Sequence, residues 1–267
     1  MSDVARRIAL GLAYDGSGFA GWQSQASGDT LQDALERALA AIAGVEIRVV
    51  AAGRTDAGVH AAAQVVHFDT GVARPESAWV RGVNSHLPSQ IAVQWVTTVD
   101  AGFHARFSAT ARSYRYVLMN HPVRPALASR HAGWFHRALD VAAMRDAGAL
   151  LVGQHDYSSF RSSECQAKSP VRTIEQLDIA QRGPWIFIDI TANAFLHHMV
   201  RNIVGSLIHI GKGAESVAWM GDLLAQRDRR RAPPTMSAAG LYLTGVRYPQ
   251  IWQLPAFAPA SPCLFME

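Results

Sequence analysis

The spacing of apolar residues along the chain predicts short strands and amphipathic helices in a regular order. Apolar residues alternate over about 6–14, which predicts a strand, and they recur at helical spacing over 30–44, with Thr30 as the capping residue. Two strands follow, and then a shorter helix over 75–87 and a strand over about 90–99. The first part of the chain is therefore predicted to run β-α-β-β-α-β.

The second part of the chain repeats this order. Its predicted strands cover 112–118, 171–180, 185–192 and 240–246, and its predicted helices cover 140–153, 195–210 and 215–227. Two such units in succession predict an α+β fold of two ferredoxin-like halves, each with an antiparallel sheet, and with a catalytic cleft between them. The halves are assigned to residues 1–105 and 106–250, and the Pro- and Ala-rich residues 251–267 are assigned to a tail.

Composition restricts the class of protein more than its function. Of the 267 residues, 49% are hydrophobic and 17% are charged, which is enough apolar material for a packed core. No apolar segment is long enough to span a membrane, and the N-terminus lacks the apolar stretch of a signal peptide. The two cysteines, Cys165 and Cys263, have no metal-binding spacing, which favours a reduced, cytoplasmic protein.

The net charge of +4 and the pI of about 9.4 are compatible with a polyanionic partner. Only two of the 25 basic residues, Lys168 and Lys212, are lysines, and arginine is the better ligand for phosphates and bases. A bias in genomic base composition would produce the same preference. The charge therefore gives weak support to a nucleic-acid partner.

A polar loop over 51–60 stands between two strand-like segments, 45–50 and 64–68. It carries one guanidinium and one carboxylate, on Arg54 and Asp56, with glycines on either side. Residues two apart project on the same side of an extended segment, so Arg54 would hold Asp56 ionised and oriented as a nucleophile or a base. The alternative is a turn in which Asp56 caps its own backbone, and the local pattern alone favours that turn.

A glycine-rich loop over 15–25 contains a G-x-G-x-x-G match that begins at Gly16. A dinucleotide-binding fingerprint needs a helix that opens at these glycines, whereas the next helix signal in this chain waits until Thr30. We therefore interpret the match as accidental. The segment is either a mobile surface loop or a loop in which Trp22 and Gln23 contact a base, and the sequence favours neither.

Arg201 lies in an apolar segment, 195–205, that is predicted to be helical. A charge in such a helix is costly unless it faces a partner or water, so Arg201 either faces a phosphate-binding cleft or extends along the helix to solvent. His197 and His198 are adjacent and would lie about 100° apart on a helix, and no carboxylate or cysteine stands at a matching spacing in the sequence. We therefore predict no metal site there.

Tyr114 is surrounded in the sequence by arginines. Aromatic residues interleaved with arginine stack on exposed bases while the charges hold phosphates. Packing of the ring across neighbouring strands is the alternative. Tyr114 is therefore a candidate for stacking on a base.

Taken together, these segments resemble the tRNA pseudouridine synthase A family over roughly residues 6–248. The loop Gly-Arg-Thr-Asp-Ala-Gly-Val-His at 53–60 is the most specific of them and shows no departure from the family pattern. The other segments that carry the resemblance are YDGSGFAGWQ at 14–23, FHARFSATARSYRY at 103–116, FLHHMVRNIVG at 195–205 and GLYL at 240–243.

The resemblance implies isomerisation of uridine to pseudouridine at positions 38, 39 and 40 of the tRNA anticodon stem-loop. Asp56 would be the catalytic carboxylate that attacks the nucleotide covalently, and Arg54 would pair with it and help to hold the flipped site open. Tyr114 would stack on the target uracil and take part in the later proton transfer. Arg201 would contact the RNA near the active site, and Leu241 would pack against the base.

The resemblance also implies a cytoplasmic homodimer that binds tRNA across both subunits, with no membrane attachment, no metal and no organic cofactor. Two alternatives belong to other classes of protein. The first is a catalytically silent RNA-binding protein of the same fold, against which the intact Asp56 loop argues. The second is a nucleotide-cofactor enzyme that rests on the glycine-rich match alone.

Overall fold

A computed structural model describes residues 6–255 and divides the chain into two compact units. The first unit comprises the chain up to Thr110 together with the chain from Leu243 onward, and the second unit is Ala111–Tyr242. Both units combine strands with a few helices, so the predicted α+β class is confirmed. Within the described range no helix is long and apolar enough to cross a membrane.

This division differs from the predicted one at both ends of the second half. The boundary follows Thr110 instead of residue 105, and residues 243–250 belong to the first unit. They do so because the last strand, Leu241–Arg247, is the neighbour of His60–Thr70 in the sheet order. Of the predicted tail, the residues up to 255 also belong to the first unit, and 256–267 lie outside the described residues.

The first unit follows the predicted β-α-β-β-α-β order. Its elements are Arg6–Tyr14 (β1), Leu31–Ala43 (α1), Val50–Ala51 (β2), His60–Thr70 (β3), a π-helical turn at Ala78–Gly82 that leads into Val83–His86 (α2), and Ile91–Val99 (β4). Strand β1 lies between β4 and β3 and pairs antiparallel with both, and β2 pairs with β3. The predicted order of elements in this half is confirmed.

Helix α1 begins and ends where its capping residues predict. The Thr30 side chain accepts the backbone N–H of Asp33, and Gly44 ends the helix in the left-handed conformation at a φ of 76°. One face of the helix is buried through Leu31, Leu35 and Leu39. Burial of a leucine side chain contributes about 1.5–3 kcal/mol, so this stripe is a main source of stability for the unit.

The strand predicted over 45–50 is reduced to the two residues of β2. The buried Glu36 carboxylate on α1 accepts the backbone N–H of Val49 at 2.9 Å and pairs with Arg48 at 3.0 Å. A side chain thus satisfies a backbone donor that would otherwise need a neighbouring strand.

The second unit contains two more strands than its sequence pattern predicts. Its elements are Ala111–Asn120 (β5), Gly133–Phe135 (β6), Val141–Ala149 (α3), Gly153–Asp156 (β7), Val171–Arg182 (β8), Trp185–Ala192 (β9), Met199–Gly211 (α4), Trp219–Gln226 (α5) and the start of Leu241–Arg247 (β10). The order β5-β9-β8-β7 is antiparallel throughout, and β6 pairs with β5 in parallel. The short β6 and β7 escape prediction because three or four residues are too few to show alternation.

Helix α4 begins later than predicted. The pattern predicts a helix over 195–210, but His198 adopts a left-handed backbone conformation at a φ of 62°, which a right-handed helix cannot include. The helix therefore starts at Met199. It packs against α3, and Met144, Ile203 and Leu207 are fully buried.

Candidate active site

Asp56 and Arg54 lie in the loop that joins β2 to β3. Burial alternates along this loop: Thr55 is buried, Arg54 is exposed and Asp56 is half-buried. The two charged side chains therefore project outward while Thr55 points inward, as their spacing predicts. The backbone turns directly after Asp56, because Val59 donates its N–H to the Asp56 carbonyl at 3.1 Å and Gly58 has a φ of 77°. This turn is made by backbone groups, so the choice between a catalytic Asp56 and an Asp56 that caps its own backbone stays open.

The Arg54 guanidinium is exposed, so its long side chain can rotate without displacing any packed group. Pairing of Arg54 with Asp56 in the presence of RNA stays a prediction.

A buried hydrogen-bond network holds the loop from inside the first unit. The Tyr14 hydroxyl lies 2.9 Å from the Thr55 hydroxyl, and the Gln64 amide donates to the Tyr14 oxygen at 3.3 Å. The same Gln64 amide donates to the Gly53 carbonyl at 2.7 Å. Burial raises the pKa of Tyr14 to about 12, against the opposing effect of the two hydrogen bonds, so its hydroxyl stays neutral. The loop is thereby fixed on both sides of Arg54 and immediately before Asp56.

The glycine-rich loop packs against the Asp56 loop. Trp22 donates its backbone N–H to the Thr55 carbonyl at 2.9 Å, and its buried indole is not available to stack on a base. Gly21 has a φ of 93°, and a Cβ on it would lie 3.0 Å from the Thr55 carbonyl oxygen. A Cβ on Gly16 would lie 2.0 Å from the Val59 carbonyl oxygen. These glycines permit close packing of two loops.

His60 ties the end of the Asp56 loop to the start of the glycine-rich loop. Its Nδ1 lies 3.2 Å from the backbone nitrogen of Gly16 and 3.1 Å from a carboxylate oxygen of Asp15. One ring nitrogen cannot serve both partners at once, because a neutral Nδ1 accepts from Gly16 and a protonated one donates to Asp15.

The supporting roles of Tyr14, Gln64 and His60 are not predicted from the sequence. The only signal is that Tyr14 and Gln64 place polar groups at inward-facing strand positions, where a buried polar group needs a partner. Which partner it finds depends on contacts between residues far apart in the chain.

In the second unit, Tyr114 lies on β5 directly opposite Ile190 of β9. Its ring packs edge to face against Phe195, with 5.0 Å between the ring centroids, and only 9% of the residue is exposed. The cross-strand packing alternative therefore describes the environment of Tyr114 well. Stacking of this ring on a uracil stays a prediction.

Arg201, on α4, is half-buried and is bonded to the segment that leads into β10. Its Nε donates to the Met236 carbonyl at 2.7 Å, and its own carbonyl accepts the Met236 N–H at 3.4 Å. A charge in this apolar helix is thus stabilised in part by the backbone, a partner that neither of our sequence-based alternatives included.

Leu241 is buried at the start of β10, and the residues before it are fixed against β5. The Tyr116 hydroxyl donates to the Ser237 carbonyl at 3.0 Å, and burial raises the pKa of Tyr116. A Cβ on Gly240 would lie 2.6 Å from the Val117 carbonyl oxygen, so the backbone crosses β5 at close range. The segment 236–241 therefore contacts both Arg201 and the strand that carries Tyr114.

His197 and His198 do not lie on a helix, so the geometry assumed for them is wrong. Both precede α4, and their ring centroids are 4.0 Å apart. The His197 N–H is bonded to the sulfur of Cys165 at 3.4 Å. The two residues are therefore not separated by 100° on a helix, as we assumed. The absence of a metal site here stays a prediction.

Comparison with known proteins finds a family and close relatives. A family model described as tRNA pseudouridine synthase matches residues 12–108 and 147–249, ranges that contain every predicted site residue except Tyr114. Proteins named tRNA pseudouridine synthase A are similar over nearly the whole chain. The relative from Chromobacterium violaceum is 60% identical over 96% of this chain and 98% of its own length, and the one from Thiobacillus denitrificans is 58% identical over the same shares. The relative from Methylobacillus flagellatus is 56% identical over 93% of this chain and 95% of its own length.

Proposed function

The chain belongs to the tRNA pseudouridine synthase family, and from that premise we propose which uridines it isomerises and which residues perform the chemistry. It is an isomerase that converts uridine to pseudouridine in tRNA. We propose that its targets are positions 38, 39 and 40 of the anticodon stem-loop, which the resemblance of the five sequence segments supports.

Asp56 is the nucleophile of the proposed mechanism. Its carboxylate forms a covalent bond to the nucleotide, at the sugar C1′ or at uracil C6, and the bond between C1′ and uracil N1 breaks. The uracil turns, C5 bonds to C1′, the bond to Asp56 breaks, and the proton of C5 is lost while N1 gains one. Substrate and product are isomers, so no water is consumed and Asp56 is regenerated.

The observation that carries this proposal is the support of the Asp56 loop. The backbone on its N-terminal side is bonded to Trp22 and Gln64, and its turn is closed at Val59, while the carboxylate itself points outward. A nucleophile held at one position on a rigid loop loses little freedom when it attacks, which lowers the barrier.

The other predicted residues have binding roles in the proposal. Arg54 is exposed beside Asp56, and we propose that it occupies the space left by the flipped nucleotide and pairs with Asp56 there. In the second unit, Tyr114 stacks on the uracil, and its hydroxyl also takes part in the proton transfer that follows formation of the new bond. Arg201 contacts the RNA and Leu241 packs against the base. Stacking and phosphate contacts would offset the few kcal/mol, roughly, that flipping a base costs.

We propose, on the same resemblance, that the enzyme is a cytoplasmic homodimer, that both subunits contact one tRNA, and that no metal or organic cofactor takes part. The basic charge of the chain is consistent with such a partner. Sedimentation of the protein with and without tRNA measures the subunit ratio directly.

Release of tritium from tRNA labelled at uridine C5 tests the chemistry. Wild type should release tritium, while Asp56→Ala and Asp56→Asn should release none and still bind tRNA, because phosphate contacts elsewhere supply most of the affinity. Residual isomerisation by Asp56→Ala would remove Asp56 as the nucleophile. If wild type released no tritium either, and all three proteins bound tRNA, the result would support the silent RNA-binding alternative. Transcripts that carry cytidine at position 38, 39 or 40 locate the target.

A further inference from the structure

Phe107, in the loop between β4 and β5, is 76% exposed to solvent. A single exposed apolar side chain is ordinary on a protein surface and by itself indicates nothing. Ile251, in the same unit, is another such side chain and is 79% exposed. Phe107 differs because the structure supports its ring from behind and fixes its backbone.

His104 supports the Phe107 ring. The two rings are stacked, with centroids 4.3 Å apart and an angle of 29° between their planes. The His104 Nδ1 accepts the backbone N–H groups of Arg106 and Phe107, each at 3.2 Å, which requires that Nδ1 carry no proton. Burial, assisted by the charge of Arg7, lowers the pKa of His104 and favours that neutral form.

The same loop is closed on itself and anchored to the unit beneath it. His104 and Ser108 exchange two hydrogen bonds, from the His104 N–H to the Ser108 hydroxyl at 2.9 Å and from the Ser108 N–H to the His104 carbonyl at 2.8 Å. Ala105 is fully buried, and its N–H is bonded to Nδ1 of His67 at 3.1 Å. The Ala105 carbonyl accepts the Tyr248 hydroxyl at 2.6 Å. Phe107 is therefore exposed on a rigid support, so little conformational entropy is lost when a partner binds it.

The chemistry of this site fits a nucleotide. The Arg106 guanidinium, which is exposed, lies over the Phe107 ring at 5.6 Å from its centroid. An exposed ring with an adjacent arginine is the arrangement by which proteins bind unpaired nucleotides, with the base on the ring and the phosphate at the cation.

We propose that Phe107 stacks on an unpaired base of the tRNA substrate other than the reacting uridine, and that Arg106 moves from over the ring to the adjacent phosphate. This proposal rests on the proposed function, because it takes tRNA as the ligand. The site lies within the first unit and includes none of the residues to which we assign chemistry. It contributes to affinity and to the placement of the RNA.

The test compares Phe107→Ala, Phe107→Leu and Phe107→Tyr with wild type, using filter binding of an unmodified tRNA transcript at one fixed salt concentration. Phe107→Ala and Phe107→Leu should each weaken binding roughly tenfold, whereas Phe107→Tyr should stay within about twofold, because only the aromatic variants keep a face for stacking. Ile251→Ala is the matched control, since it removes an apolar side chain of similar exposure from the same unit and should leave affinity unchanged.

Three results would overturn the proposal. The first is wild-type affinity in Phe107→Ala. The second is recovery by Phe107→Leu as complete as by Phe107→Tyr, which would show apolar contact without stacking. The third is dissociation of Phe107→Ala into monomers on sedimentation, which would assign Phe107 to an interface between copies of this chain. Tritium release by wild type is measured separately, so a failure of the proposed function would be seen independently of the binding results.

Discussion

Replacement of Tyr14 by phenylalanine tests whether the buried network controls the Asp56 loop. The substitution keeps the ring and removes a hydroxyl that lies 2.9 Å from the Thr55 hydroxyl and 3.3 Å from the Gln64 amide. Gln64 retains its bond to the Gly53 carbonyl at 2.7 Å, so the loss falls mainly on Thr55, which is buried.

The expected loss of stability follows from this geometry. One net hydrogen bond contributes about 1 kcal/mol, and a buried hydroxyl left without a partner costs about 1–3 kcal/mol. We therefore expect Tyr14→Phe to lower the free energy of unfolding by about 1–3 kcal/mol. Because Thr55 immediately precedes Asp56, the carboxylate gains freedom, and turnover should fall roughly tenfold while tRNA affinity stays close to wild type.

Urea unfolding measures the first effect, and tritium release at saturating tRNA measures the second. Tyr157→Phe is the matched control, because Tyr157 is a buried tyrosine of the second unit whose hydroxyl is bonded to the Leu151 and Gly153 carbonyls. It should lose similar stability and keep wild-type turnover. If Tyr14→Phe unfolds at the wild-type urea concentration, or loses stability without slowing turnover, then the network does not position Asp56.

Three further predictions concern single residues. Gly21→Ala forces a side chain into a left-handed position 3.0 Å from the Thr55 carbonyl, so we expect tritium release to fall more than tRNA binding; equal losses would point to general unfolding. Burial lowers the pKa of His67 to about 4 from 6.5, so the unfolded chain binds this proton more readily. The free energy of unfolding should therefore fall between pH 6.5 and pH 4, by at most about 3 kcal/mol, and His67→Gln should flatten that slope in urea titrations; an unchanged slope would assign it to other groups. Tyr114→Phe keeps the ring and loses the hydroxyl, so it should slow turnover more than it weakens binding, and an unchanged rate would confine Tyr114 to stacking.

Local signals in the sequence predict local structure well. Helix α1 is bounded by Thr30 and Gly44 because capping depends on neighbouring residues alone, and alternation gives β1 and β9 nearly in full. The strand predicted over 45–50 is mostly absent, because the Glu36 carboxylate accepts the Val49 N–H that a neighbouring strand would otherwise accept. The predicted start of α4 is too early. The apolar pattern extends to residues before His198, but the left-handed backbone of His198 prevents the helix from including them.

The candidate site divides in the same way. The Asp56 loop is identified because its residues are contiguous and specific to the family, and the family itself is confirmed by close relatives. The residues that position the Asp56 loop are not contiguous, because Tyr14, Thr55 and Gln64 come from three separate segments. The role of the glycines in the 15–25 loop likewise depends on a backbone about forty residues away, which no local pattern encodes.

The return of the chain to the first unit sets an order for folding on the ribosome. The second unit, Ala111–Tyr242, is continuous and can be completed as soon as its last residue has emerged. The first unit is made earlier in large part, yet it lacks β10 and the residues after it, among them Val246, Tyr248 and Trp252, which pack against a buried cluster that includes Phe103. Until translation reaches them, that apolar face is open to solvent and to chaperones. The unit that carries Asp56 is thus the last to become native, and a chain truncated after residue 242 would contain the whole second unit but a first unit without the residues that complete its core.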